Sequence, residues 1–108
     1  MASEAKRLQV YQSGKLTVVG FGGEEVLDRL EVASCREEIL GIVQESQCET
    51  LAFDMTGVRL IPSGMLGLLA SLRQLGVEVH IYNPSPDVRE VLEITRLDRL
   101  MPIYEVEL

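Results

Sequence analysis

Asp54 and Ser63 carry the side chains in the middle of this chain that are best placed for chemistry or for binding. Asp54 ends the apolar run 50–53, and Ser63 follows Pro62 at the start of a Leu-rich stretch. A carboxylate at the end of a strand can shape a turn or bind a metal ion. A serine at the start of a helix can satisfy a free backbone N–H, and a phosphate there would lie where the helix favours an anion. The segment that joins these two residues is therefore the candidate functional segment of the chain.

A phosphorylated aspartate at a strand end, as in receiver domains, is one chemistry that Asp54 would support. That chemistry needs a pair of acidic residues after the first strand to hold Mg²⁺. Here the first predicted strand, 8–12, is followed by Ser13 and Gly14 without acids. We therefore expect Asp54 to shape the turn at Thr56 and Gly57 through an Asx-type hydrogen bond.

Catalysis by a nucleophile and a base is the second chemistry to consider, with Ser63 and His80 as the pair. His80, the single histidine, alternates with apolar residues on a predicted strand, which favours a structural role. Cys35 and Cys48 form no Cys-x-x-Cys motif, and we expect two buried, reduced thiols. We therefore expect no catalytic residues, no cofactor and no metal. A small hydrolase that uses Ser63 is the alternative from a different class.

The length and charge of the chain limit the classes of protein to which it can belong. It has 108 residues, 17 acidic against 10 basic side chains, and a formal net charge of −7. This length is typical of one domain, and we expect a single domain over residues 1–108 with a flexible terminus at 1–7. Binding of nucleic acid would require clustered Lys and Arg, so with this acidic balance we expect no nucleic-acid partner. No apolar run is long enough to span a membrane and no signal peptide begins the chain, so we expect a cytoplasmic protein.

Turn residues and apolar patterns predict the first half of the fold. Strands are expected at 8–12 and 16–21, joined as a hairpin through residues 13–15. Ser34 and Glu37 form a capping box at the start of the first helix. The continuous apolar run 50–53 predicts a central strand. Residues 24–33 do not distinguish irregular chain from a helical turn.

The second half continues as alternating helices and strands. Ser63 is predicted to cap a second helix that runs to about residue 75 and stops at Gly76. Residues 77–82 then alternate as a strand with one apolar face, Ser85 and Pro86 begin a third helix, and a last strand is expected at 103–106. The order β-β-α-β-α-β-α-β predicts an α/β domain, with a mixed sheet packed against three to four helices.

The segment 51–69 resembles the sequence of the STAS domains, the anti-sigma factor antagonist family. The family pattern here is an apolar strand, Asp-Leu-Ser-Gly-Val, two or three more residues, and then Ile-Asp-Ser-Ser-Gly-Leu-Gly-x-Leu. Asp54 corresponds to the Asp at the strand end, Ile61 to the Ile of the pattern, and Ser63 to the first serine of the pair, which family kinases phosphorylate. Pro62 stands in place of the acid of the pattern, and Gly64 in place of the second serine.

This resemblance implies a STAS-like fold along nearly the whole chain and a non-enzymatic regulatory module that binds a protein partner. It implies an anti-sigma factor or serine kinase-like partner, with phosphorylation at Ser63. The residues expected to contact this partner lie around Ser63 in the sequence: Asp54, Thr56, Gly57, Arg59, Pro62, Gly64 and Met65. Met65 is expected to give apolar contact if its side chain is exposed. The alternative, which Pro62 and Gly64 favour, is a STAS-like accessory subunit of a transport or signalling complex that is not phosphorylated.

Overall fold

The structure, a computed structural model, describes residues 8–21 and 32–107. Its strands are β1 (Gln9–Gln12), β2 (Leu16–Gly20), β3 (Thr50–Asp54), β4 (Glu78–Tyr82) and β5 (Ile103–Tyr104). Its helices are α1 (Val32–Ser46), α2 (Ser63–Ser71) and α3 (Pro86–Ile94), and two short 3-10 helices follow α2 and α3, at Leu72–Leu75 and Leu97–Arg99. This order confirms the predicted succession of strands and helices. Residues 1–7, expected to be a flexible terminus, lie outside the described residues. So does most of the segment 24–33, for which the sequence left irregular chain and a helical turn open.

The five strands form one mixed sheet, as the sequence predicts. The strand order is β1-β2-β3-β4-β5, which is the order of the strands along the chain. β1 pairs with β2 antiparallel, and the pairs β2–β3, β3–β4 and β4–β5 are parallel. Parallel strands point the same way, so β2, β3, β4 and β5 all end at one edge of the sheet. The loops that leave this carboxyl edge are the ones that can form a common surface.

The main core lies between the sheet and the helices. Alternate strand residues such as Val19, Phe53 and Ile81 are fully buried there, and they meet Ile39 of α1 and Leu69 of α2 in the same cluster. Right-handed crossovers that connect neighbouring strands in one direction place their helices on one face of the sheet. The main core is thus the contact between that face and the helical layer.

The opposite face of the sheet carries a second, smaller cluster. Val18, Ala52 and Tyr82 are buried there, with Leu16 and Val106 packed against them. The alternating pattern of β4 predicts that Tyr82 lies on its polar side, yet only 9% of Tyr82 is exposed. The reason is tertiary, because Val106 and the ring of Tyr104, whose centroid is 6.2 Å from that of Tyr82, lie against it.

Several predicted element ends differ from those in the structure. α1 begins at Val32, so Ser34 lies in its first turn and is not the N-cap residue of a capping box. A local capping pattern does not by itself decide where a helix begins, because tertiary context routinely overrides such preferences. β5 ends at Tyr104 and is shorter than predicted. α2 ends at Ser71, and a 3-10 helix continues the chain to Gly76, whose φ of 87° is the predicted left-handed stop.

The start of α3 is as the sequence predicts. Ser85 is the N-cap residue, and its hydroxyl oxygen accepts a hydrogen bond of 3.2 Å from the backbone N–H of Val88. Pro86 occupies the first helical position, where its missing N–H costs nothing. Val88 and Leu92 are buried on the inner side of the helix. This cap fixes where the chain turns back after β4.

The contrast between Leu69 and Leu75 gives a test of the core. Leu69 is fully buried, whereas 41% of Leu75 is exposed, although both leucines belong to the helix predicted from Ser63 to about residue 75. Leu69→Ala is expected to lower the free energy of unfolding by about 2–5 kcal/mol, because it leaves a cavity. Leu75→Ala, the matched control, is expected to cost less than about 1 kcal/mol. Urea denaturation followed by circular dichroism measures both values, and equal losses would contradict this description of the core.

Candidate functional site

The Asp54 carboxylate holds the turn that leaves β3. Asp54 is only 8% exposed, and its Oδ1 accepts a hydrogen bond of 3.2 Å from the Thr56 backbone N–H and one of 2.6 Å from the Thr56 hydroxyl. A bond from the backbone N–H two residues ahead is the predicted Asx-type turn, which is therefore confirmed. A buried carboxylate is tolerated when hydrogen-bond donors surround it, so the turn and the carboxylate stabilise each other.

The next residues turn the chain sharply and fix it to the core. The Val58 N–H donates to the Met55 carbonyl oxygen at 2.9 Å, which closes a four-residue turn. Gly57 is the third residue of this turn and has a φ of 85°, a conformation that glycine adopts without strain. Met55 and Val58 are buried on either side of it. The loop after β3 is thus held at a defined place on the carboxyl edge.

Asn83, which follows β4, joins this turn to the end of the chain. Its amide nitrogen Nδ2 lies 3.4 Å from both Asp54 Oδ1 and Thr56 Oγ1, and its Oδ1 accepts a bond of 2.8 Å from the Val106 N–H. The sequence does not predict this role, because Asn83 before Pro84 indicates only a turn. The same side chain therefore bridges the loop after β3 and the segment after β5.

Ser63 is the first residue of α2, not its N-cap residue as predicted. Pro62 occupies the N-cap position, with an extended backbone at φ −73° and ψ 156°, and no side chain caps the helix. The Pro62 carbonyl oxygen accepts the first helical bonds, from Met65 at 3.0 Å and from Leu66 at 3.2 Å. The fixed φ of proline suits this entry, and the Ser63 side chain is left exposed.

The two sides of α2 differ sharply in composition. Its exposed residues include Ser63, Gly64 and Gly67, which fall within about 100° of one another at 3.6 residues per turn. The buried side carries Met65 and three leucines, Leu66, Leu68 and Leu69. Because glycine has no side chain, the exposed side offers a partner mainly backbone atoms and the Ser63 hydroxyl group. A partner can approach such a surface closely.

The predicted contact residues divide into exposed and buried ones. Five of them are exposed: Thr56, Gly57, Arg59, Ser63 and Gly64. Pro62 is half-buried, and Asp54 is buried, where it holds the turn. Met65 is fully buried, so the apolar contact expected if it were exposed is not available, because its side chain points to the core.

Leu60 is 58% exposed in the same loop and was missed, since a single apolar residue in a loop gives no periodic signal. We call the exposed set the α2 surface: Thr56, Gly57, Arg59, Leu60, Ser63, Gly64 and Gly67.

The structure does not bring His80 to Ser63. His80 lies on β4 in register with Ala52, on the sheet face opposite to the helices. Its Nε2 is 3.2 Å from Glu78 Oε1, and its ring centroid is 5.1 Å from that of Tyr104. α2 packs on the other face. The geometry therefore offers no support for a serine–histidine pair.

The two cysteines are free and buried, as predicted. Burial, with the nearby Glu38 carboxylate as a smaller cause, raises the pKa of the Cys35 thiol from 9.0 to about 11. The thiolate is the reactive form, so a raised pKa makes this cysteine inert. Across residues 8–21 and 32–107, no three His, Cys, Asp or Glu side chains come together as a possible metal site. Within the same residues, no helix has the length and apolar character needed to cross a bilayer.

The chain is similar to known proteins in family, in sequence and in structure. The family model described as the STAS domain matches residues 7–107. An anti-sigma F factor antagonist of Paenibacillus polymyxa is 27% identical over 94 residues, which cover 83% of this chain and 79% of the relative.

Solved structures resemble this fold over nearly the whole chain. An anti-sigma-factor antagonist (STAS) domain protein from Planctomyces limnophilus gives a TM-score of 0.77 at 23% identity, over 93% of this chain and 90% of that one. The anti-sigma factor antagonist SpoIIAA in its unphosphorylated form gives 0.74 at 19% identity, over 93% and 88%. The phosphorylated form of SpoIIAA, a Bacillus cell fate determinant, gives 0.64 at 18% identity, over 93% and 91%. At these identities the structural likeness concerns the fold.

Thr56→Val tests the turn that Asp54 organises. The change keeps the shape of the side chain but removes the hydroxyl that donates to Asp54 at 2.6 Å. The expected loss in the free energy of unfolding is about 1–2 kcal/mol, because a largely buried carboxylate loses a donor. Thr56→Ser keeps the hydroxyl and is expected to cost less than about 1 kcal/mol. Equal urea midpoints for the two variants would show that this hydrogen bond does not hold the turn.

Cys35 is expected to resist thiol reagents in the native protein. In a Cys48→Ala variant at pH 8, a pKa of about 11 in place of 9.0 leaves about 100-fold less thiolate than in the unfolded chain. The labelling rate with a disulfide reagent, with and without urea, measures this difference.

The native protein keeps the thiol proton between pH 9.0 and 11 while the unfolded chain loses it, so Cys35 lowers the free energy of unfolding as pH rises through this range. Labelling of the native protein at the unfolded rate would contradict the burial of this thiol.

Proposed function

This chain belongs to the STAS domain family, and we propose that it is a non-enzymatic regulatory module of the anti-sigma factor antagonist type. Its proposed partner is an anti-sigma factor, the class of protein that appears in the name of the P. polymyxa relative. That this partner has serine kinase activity is what the resemblance of the segment 51–69 implies. The observation that carries the proposal is the exposed Ser63 at the first position of α2, on a side of the helix where the neighbouring residues are glycines.

The α2 surface supports binding of a protein rather than a small molecule. It combines the exposed Leu60, the Arg59 side chain and the exposed backbone at Gly64 and Gly67. Arginine is enriched among the residues that contribute most to protein interfaces, and the buried centre of an interface is more apolar than the rest of the surface. Because Met55 and Val58 fix the loop to the core, this surface is already ordered before a partner binds.

Phosphorylation at Ser63 is the proposed control. The Ser63 hydroxyl is exposed and does not cap the helix, so its modification removes no cap. A phosphate at this position would add about −1.5 to −2 charges beside the first N–H groups of a helix, which favour an anion. The domain is therefore expected to stay folded, and the main effect is added charge and bulk where the partner docks. Solved structures of SpoIIAA exist in both the phosphorylated and the unphosphorylated form.

One observation favours a second candidate function. Pro62 is the N-cap residue of α2, at the position where the resemblance to the family pattern has an acid. If a kinase reads that acid, the chain would instead be an accessory subunit of a transport or signalling complex, bound through the same surface without phosphorylation. For either function we propose the cytoplasm as the compartment and the whole chain, 1–108, as one domain.

The switch is tested with an anti-sigma F factor kinase and ATP. We expect mass spectrometry to place one phosphate on Ser63 and none on the Ser63→Ala variant. Ser63→Asp is expected to weaken binding to the kinase by about tenfold or more, which corresponds to about 1.4 kcal/mol, because it introduces a charge into the interface. Isothermal titration calorimetry measures the affinity. Ser13→Asp, an exposed serine in the hairpin turn before β2, is the matched control and should bind as the native chain does.

Three outcomes decide between the candidates. Phosphate on Ser63 with weakened binding of Ser63→Asp supports the switch. Binding without phosphate, unchanged in Ser63→Asp, contradicts the switch and supports the accessory subunit. Equal weakening by Ser13→Asp and Ser63→Asp would show that net charge alone is measured, and would contradict the α2 surface as the binding site.

A further inference from the structure

A groove lies at the amino-terminal edge of the sheet, away from the α2 surface. It has a volume of about 280 Å³ and lies between the two 3-10 helices, beside the start of β4. Its lining residues are Arg73, Val77, Glu78, Val79, Arg99, Leu100 and Pro102. Nothing in the proposed function uses this edge of the molecule.

Two arginines give the groove its charge. Arg73 and Arg99 each lie in the last turn of a 3-10 helix, and both are exposed. Among the described residues neither guanidinium forms an ion pair, in contrast to Arg89, whose Nη2 is 2.8 Å from Glu105 Oε2. In a chain with a net charge of −7, two unpaired arginines beside one groove form a local positive site. Such a site attracts carboxylate or phosphate groups.

Glu78 also lines the groove, but it forms no ion pair with either arginine. Its Oε1 lies 3.2 Å from His80 Nε2, two residues along the same strand. Residues two apart on a strand point to the same face, and His80 lies on the face opposite to the helices. The Glu78 carboxylate is therefore directed away from the helical side, where Val77 and Val79 belong to the main core.

The four remaining lining residues of the groove are apolar. Val77 and Val79 are buried at its base, and Leu100 at its rim is 40% exposed. Pro102 adds a rigid apolar wall without a backbone N–H. A ligand that fits this arrangement carries a negative charge for the arginines next to an apolar group for Leu100 and the valines.

We infer that this groove binds an acidic peptide segment of a protein partner, through its carboxylates to Arg73 and Arg99 and through an apolar side chain to Leu100. A peptide suits the groove better than a small molecule, because small-molecule sites enclose most of the ligand in about 300–1,000 Å³ of largely apolar pocket. Here the volume is smaller and both arginines stand at the surface. Guanidinium groups bind carboxylates with two parallel hydrogen bonds, which gives both affinity and orientation.

The groove and the α2 surface can be occupied at the same time. The groove lies at Glu78, where β4 begins, and the turn beside the α2 surface contacts Asn83, just after β4 ends. Strands rise about 3.3 Å per residue, so the length of β4 separates the two sites. The inference thus adds a second binding site to the domain and does not depend on Ser63.

Nuclear magnetic resonance with a defined peptide tests the inference. The probe is a capped peptide, Gly-Glu-Leu-Glu-Gly, titrated into the ¹⁵N-labelled full chain at physiological salt, where distant charges are screened. We expect shifts in the backbone amides of residues 73–79 and 99–101, with those of the α2 surface unchanged. Arg73→Glu and Arg99→Glu should each weaken binding by about fivefold or more, because repulsion replaces a carboxylate contact.

Arg36→Glu, on the exposed side of α1, is the matched control with the same change in charge, and should bind the peptide as the native chain does. Unchanged dispersion of the spectrum shows that each variant is folded. No binding at millimolar peptide, or equal weakening by Arg36→Glu, would overturn the inference. Equal binding of glutarate would show a site for small anions instead of a peptide. Concentration-dependent shifts at residues 73–79 without peptide would show that a second copy of the chain occupies the groove, and would also overturn it.

Discussion

The hydrogen bonds accepted by the Asp54 carboxylate fix the arrangement on which the carboxyl edge of the sheet depends. The carboxylate is largely removed from water, and the Thr56 N–H, the Thr56 hydroxyl and the Asn83 amide surround it. A change in the turn that removed one of these donors would leave the buried carboxylate short of hydrogen bonds. The conformation of the turn is therefore closely restricted. The turn that this carboxylate holds begins the loop that leads to Pro62, the N-cap residue of α2. Since Asn83 also holds the Val106 N–H, the end of the chain shares the same constraint.

The order of the elements was predictable because the signals for it are local. Alternation marks the strands, Ser85 and Pro86 mark the start of α3, and Gly76 stops the chain after α2. The start of α2 was predicted one residue late, because Pro62 and Ser63 each fit a helix start and only the backbone angles decide between them. Asp54 could be assigned to a turn, since its partner lies two residues away.

Features that join distant parts of the chain could not be predicted from local patterns. Asn83 bridges residues 54 and 106, and the groove brings together residues 73 and 99. The burial of Tyr82 and of Met65 likewise depends on what packs against them. Leu60 is the opposite case, an apolar residue that is 58% exposed. Together, these features give the domain two different surfaces: one with glycines and a serine at the carboxyl edge, and one with arginines at the amino-terminal edge.

The order of strands in the sheet is the same as their order in the chain, and this has a consequence for synthesis on the ribosome. The hairpin of β1 and β2 emerges first, and each later strand adds to the edge left by the one before it. No strand has to be inserted between two that are already paired, so each strand can join the sheet at its free edge in the order in which it is synthesised. Its closing step is the arrival of β5 and the segment that ends at Val106, which covers Tyr82 and completes the hydrogen bonds of Asn83.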